Sequence, residues 1–237
     1  MIKDFIPKHV SCRHLLAFLE RLSGRGLRAP TVEEHLAHNR QVWNSGGGAY
    51  FGESGYVEYQ AYMNDIWYGK KKVFFELLPV LRYGGRDKAI GADYNCCEVI
   101  ALYNALRCLG IDTPLPDLIA YFERHGITLS GYFGTSVRAI TRYLDEQKIS
   151  YSIYEGDEAE AVADNSGDDE SPYIITVYND IHDITAMIHT MCITREHGMY
   201  VMHNTFRNRI IRGRTIEAVV GHYGDNKAGI ISLVKIH

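Results

Sequence analysis

The chain has 237 residues, 46% of them hydrophobic and 23% charged, which is the composition of a globular protein long enough to bury a substantial core. A formal net charge of −4 argues against nucleic acid or an anionic membrane as partner. No run approaches the roughly eighteen apolar residues that span a bilayer, so no membrane segment is expected.

The N-terminus, Met1-Ile2-Lys3-Asp4-Phe5-Ile6-Pro7, lacks the long apolar stretch of a signal peptide. Five cysteines without CxxC pairs fit reduced thiols better than a disulfide framework, so a cytoplasmic location is expected. Residues 9–22 place Val10, His14, Leu15, Phe18, Leu19 and Leu22 at helical spacing, and a second helix is expected from Thr31 to about Asn39. His35 and His38 stand three apart on it, but with no third ligand in view two ordinary histidines are the simpler reading and no metal is expected. Residues 44–68 are rich in Gly and aromatics and match neither a phosphate loop nor a dinucleotide fingerprint. Residues 73–81 read as a short helix or strand.

The organising stretch is Asp93 to Gly110. Val99, Leu102, Tyr103, Leu106 and Leu109 make one apolar stripe, and Gly110 supplies a stop. Asn95 with Glu98 three residues on resembles a capping box, which puts Cys96 at the first helical position. There the free N–H groups and the positive end of the helix dipole favour thiolate. A small core hydrophobe is the bland alternative for such a cysteine.

Downstream, Pro114-Leu115-Pro116 introduces an amphipathic helix ending at Gly126, and Thr135 or Ser136 caps another through Leu144. Residues 149–154 alternate like a strand. Eight acidic side chains in 155–170 read as a solvated connector. Strands are expected at 173–178, 188–194, 199–204 and 229–236, giving an α+β fold with helices first and antiparallel strands last.

Residues 188–204 read as a hairpin turning near Glu196, His197 and Gly198. With the turn centred between Glu196 and His197, His189 lies directly across from Asn204, on the same face and about 5 Å away. A thiol that gives its proton to an imidazole, itself oriented by an amide oxygen, is the set a cysteine nucleophile needs. His182, His197 and His203 compete with His189 less well, while Cys108 and Cys192 read as core; Cys12 has no assigned place.

Residues 95–101 (Asn-Cys-Cys-Glu-Val-Ile-Ala), residues 131–136 (Gly-Tyr-Phe-Gly-Thr-Ser), and Ile188-His189 followed fifteen residues later by Asn204 resemble the papain-like superfamily. The nearest branch is that of the bacteriocin-leader-processing peptidases and their bacterial relatives. The resemblance spans roughly 86–237, leaving 1–85 as a helical, aromatic extension packed on the core. It implies a helix bearing the cysteine on an antiparallel sheet bearing the histidine, with Cys96 as nucleophile, His189 as base and Asn204 as orienting residue. Three positions depart from the family's pattern. The usual oxyanion glutamine is Ile90, the glycine after the nucleophile is Cys97, and the proline after the third residue is Thr205. Loss of an oxyanion donor costs about two to three orders of magnitude in rate. Asn95 and Cys97 are the candidates to supply the oxyanion environment, and Cys97 is the rival for the reactive thiol.

The resemblance therefore implies a cysteine peptidase acting on a peptide or amide, without metal or organic cofactor. A papain-like acyltransferase or transglutaminase-like enzyme would use the same residues, and a catalytically inactive papain-like binding domain is the third possibility. Oligomeric state is not legible.

Overall fold

The computed structural model describes residues 29–45, 81–85, 92, 96–127, 135–167, 169–183, 188–205 and 211–237. Among these, six helices accompany one antiparallel six-stranded sheet, so the α+β expectation holds at that level. The helices expected at 9–22, and the segments at 46–80, lie outside the described residues.

Three helices carry the first half of the core: α1 (Ala29–Asn44), α2 (Cys97–Cys108) and α3 (Leu115–His125), followed by α4 (Arg138–Gln147). Helix α2 is the stretch whose stripe the sequence predicts, and its residues from Glu98 to Leu106 are all buried. Pro116 stands in the first turn of α3, where its missing N–H costs nothing, and α3 ends at Gly126. Before α4 the N-cap is Val137, without a side-chain cap, rather than the expected Thr135 or Ser136; Ser136 Oγ accepts from Arg138 N–H in the turn that leads into the helix.

The second half supplies the sheet: β1 (Tyr151–Glu155), β2 (Tyr173–Tyr178), β3 (Ile188–Glu196), β4 (Met199–His203), β5 (Ile211–Gly213) and β6 (Gly229–Ile236), in the order β1-β6-β2-β3-β4-β5. Two more helices lie within it, α5 (Asp157–Asp164) and α6 (Ile216–Tyr223). Helix α5 corrects the expectation of a solvated connector. Three of the acidic residues, Asp157, Glu158 and Glu160, sit in its first turn, where the helix dipole favours them, while Ala159 and Ala163, one turn apart, are wholly buried. Helix α6 was not expected; Thr215 caps it by accepting from Ala218 N–H.

Both faces of the sheet are covered. On one face Ile174, Cys192, Val234 and Ile236 pack with α2, α3 and α4. On the other, Ile175, Val177, Met191, Ile193 and Leu233 pack with Ala159 and Ala163 of α5 and Ile216, Val219 and Val220 of α6. The chain is therefore layered helix–sheet–helix, and β2 is buried along nearly its whole length.

Helix α1 is fastened to the core by buried polar groups. His35 Nδ1 donates to Glu123 Oε1 at 2.7 Å, and Gly84 N–H donates to the same oxygen at 2.7 Å. Asn39 takes both backbone groups of Arg82, donating to its carbonyl and accepting from its N–H. The histidine of the His35/His38 pair that faces inward thus serves as an anchor for α1.

Candidate functional site

The tip of α2 begins one residue later than expected. Cys96 is the N-cap, with φ −105° and ψ 21°, and its carbonyl accepts the Ile100 N–H at 2.9 Å. Cys97 is the first helical residue. Asn95, Ile90 and residues 131–134 lie outside the described residues, so neither the expected cap nor an oxyanion donor from them is placed.

The two thiols part company. Cys96 is 1% exposed and belongs to the hydrocarbon core on the α2 face of the sheet. Its acid–base neighbour there is Tyr83, whose hydroxyl bonds Thr135 Oγ1 and whose pKa is held well above its ordinary range by burial and then by Cys96. Cys97 keeps partial exposure, and its S–H donates to Glu98 Oε2 at 3.1 Å.

Glu98 does not reach back as a capping-box residue would. It is 3% exposed, and its other oxygen receives a long 3.5 Å bond from Thr190 Oγ1, which lies 3.1 Å from Thr176 Oγ1 on β2. Burial pushes the Glu98 carboxyl up to about 7, against the pull of its hydrogen bonds. Burial and then the Glu98 charge push the Cys97 thiol well up, while a bond to the Thr190 backbone pulls the other way. Both effects favour S–H over thiolate, the opposite of what the helix dipole alone predicts.

The imidazole is elsewhere. Residues on β3 alternate between faces: Cys192 pairs with Ile174 on the α2 side, whereas His189 pairs with Val177 on the α5/α6 side. The His189 ring stacks on Tyr223 of α6, centroids 6.3 Å apart and planes 16° apart. The expected meeting of Cys96 and His189 is therefore not made: the sheet stands between sulfur and imidazole.

His189 and Asn204 do meet, though not as expected. The hairpin turns on His197-Gly198, with Glu196 paired to Met199, so the register runs two residues beyond the predicted one. His189 Nε2 lies 2.6 Å from the Asn204 backbone carbonyl. A carbonyl only accepts, so Nε2 is the ring nitrogen that carries the proton in this bond. The Asn204 carboxamide turns to Thr190, its Nδ2 donating to that carbonyl at 3.2 Å. Asn204 has a left-handed backbone, φ +66°, which Asn tolerates better than most residues. An amide oxygen thus orients the imidazole, but it is the main-chain one. Burial lowers the His189 pKa to about 4, opposed by the Asn204 carbonyl, so the ring is neutral at pH 7.

The rival histidines divide as follows. His182 and His197 are exposed, His197 in the turn with φ +51°. His203 is buried opposite Cys192, on the cysteine face, with Nε2 2.8 Å from Thr194 Oγ1 and 3.5 Å from Glu196. Cys192 is core as expected, whereas Cys108 is partly exposed. Among the described residues no group of three or more His, Cys, Asp or Glu is arranged to hold a metal ion, and no helix is long and apolar enough to cross a membrane.

Glu98 is the site residue that sequence reasoning missed, having been read only as half of a cap. A carboxylate directly after two cysteines, on the buried stripe of a helix, is the signal that was available. No family model, curated protein or solved structure matches this chain.

Proposed function

We propose that this chain is a papain-like domain that holds a peptide or partner protein without hydrolysing it. The observation that carries the reading is the sheet between Cys96 and His189. Thiolate chemistry of the papain kind needs the imidazole to take the thiol proton, which requires hydrogen-bond reach of about 3 Å. Bringing His189 to the other face would demand a one-residue slip of β3, which would also expel Met191 and Ile193 from their core. That cost far exceeds any thermal fluctuation that leaves the fold intact. The peptide or amide class of ligand comes from the sequence resemblance.

A second reading, a thiol peptidase or acyltransferase, is favoured by one observation: an Asn204 amide oxygen does orient the His189 ring. A peptide library separates the two. The binding reading expects peptides to be retained and released intact, with affinity unchanged in Cys96→Ala and His189→Ala. Cleavage, or transfer to an added amine, that both substitutions abolish would overturn it.

A further inference from the structure

On one side the sheet ends at β1, which among the described residues pairs only with β6, in a regular antiparallel register from Tyr151↔Ile236 to Glu155↔Ser232. The bonds at its two ends fix which way each backbone group points. Gly156 N–H donates to the Ile231 carbonyl, and His237 N–H donates to the Ser150 carbonyl. Hydrogen-bonded pairs alternate along an antiparallel ladder, so the even-numbered residues of β1 bond to β6, while Tyr151, Ile153 and Glu155 direct their N–H and C=O groups away from it. This edge carries none of the usual guards. It has no Pro, Lys or Arg and no bulge, and at its centre stands Ile153, 44% exposed. The opposite edge, β5, is blunted by being three residues long.

We propose that β1 is the interface through which two copies of this chain pair, antiparallel about a two-fold axis at Ile153, into one continuous sheet. The strand is complementary to itself. With Ile153 opposite Ile153 of the copy, Tyr151 falls opposite Glu155 at both ends, and these are the residues whose backbone groups point outward to exchange bonds. The two exposed isoleucines then meet on one face, Cβ atoms about 5 Å apart, and cover each other. Charge selects this arrangement. A parallel pair in register would set Glu155 against Glu155 of the copy, whereas the antiparallel pair holds them at opposite ends. It also brings the end of α4, with exposed Lys148, beside the start of the copy's α5, with exposed Asp157 and Glu158. The carboxylates on the Lys148 side are already engaged, Glu146 with Arg142 at 2.8 Å and Asp145 with the Tyr151 hydroxyl. A strand of five residues covers little area, so the pair is a weak, reversible one. This inference does not rest on the peptide-holding reading, since β1 lies apart from Cys96, His189 and Asn204 in the sheet order.

The test is sedimentation equilibrium of the whole chain from about 1 to 300 µM, the range in which small interfaces associate. The mass should rise from monomer towards dimer and stop there, because a closed two-fold contact uses up the edge. Ile153→Lys sets like charges directly opposite and should weaken the dimer at least about tenfold. Its urea midpoint should match wild type, the position being exposed. Ile153→Cys places two thiols at the axis with Cα atoms about 5.5 Å apart, within disulfide reach. Mild oxidation should therefore link that variant into dimers, and should link neither wild type nor Ile181→Cys, an equally exposed position off the strand. A chain that stays monomeric at every concentration overturns the proposal. So does a dimer that keeps its affinity in Ile153→Lys, or one in which Ile153→Cys links no better than Ile181→Cys.

Discussion

Two buried groups on opposite faces of the sheet make a prediction about stability against pH. His189 should be held neutral: its pKa falls from an ordinary 6.5 to about 4 on burial. Between those values the unfolded chain binds a proton that the folded chain refuses. Stability therefore rises with pH across that window, at about 1.4 kcal/mol per pH unit, and about 3 kcal/mol develops in full. Glu98 acts in the opposite sense. Its carboxyl rises from 4.5 to about 7, so the folded chain keeps a proton that the unfolded chain has lost, and stability falls with pH by about 3 kcal/mol. From about pH 4.5 to 6.5 the two effects cancel, and the wild type hides both. Glu98→Gln and His189→Gln each expose the other. Urea unfolding followed by tryptophan fluorescence, read as the difference between variant and wild type, removes the surface carboxylates common to both. The Glu98→Gln difference should rise by about 3 kcal/mol as pH goes from 4.5 up to 7, and the His189→Gln difference should rise by about as much as pH goes from 6.5 down to 4. A flat difference for either variant would mean that the group is solvated or paired with an opposite charge, and the burial argued for it would fail.

Other perturbations probe the frame around the site. His35→Ala leaves the Glu123 carboxylate buried with only the Gly84 N–H on that oxygen, and should destabilise the chain by about 3 kcal/mol in urea unfolding. An effect below about 0.5 kcal/mol would mean that α1 is not anchored there. Gly126→Ala would put a Cβ 2.5 Å from Ala139 Cβ and 3.0 Å from Thr135 Cγ2, forcing α3 from α4 at a cost of about 1–3 kcal/mol. Thermal unfolding at wild-type temperature would refute that packing.

Periodicity made α2 readable, since one stripe of apolar residues at three- and four-residue steps has a single sensible use. Strands β2 and β6 were readable at the residue level for the same reason, as β-rich runs bounded by breakers. The orientation of His189 was not. A strand covered on both faces carries apolar residues at every position, so nothing in Ile188-His189-Thr190-Met191-Cys192 tells which parity faces the cysteine helix. The turn residues His197 and Gly198 were recognised, yet the register depends on which two of them form the loop, and the predicted pairing of His189 with Asn204 was two residues out. The acidic run hid α5 because charge count was weighed above the Ala159/Ala163 spacing. With β5 only three residues long, nothing in its pattern stands out, and α6 after it carries a cap in Thr215 without the acidic partner that marks a capping box.

The most direct measurement is the NMR titration of the His189 imidazole, assigned by its loss in His189→Gln, in wild type and in Cys96→Ala. An imidazole buried against Tyr223 with the sheet between it and both thiols should titrate near 4 and should not respond to removal of the sulfur. A midpoint above about 7 that drops in Cys96→Ala would reveal a thiolate at its side and contradict the separation of the two groups.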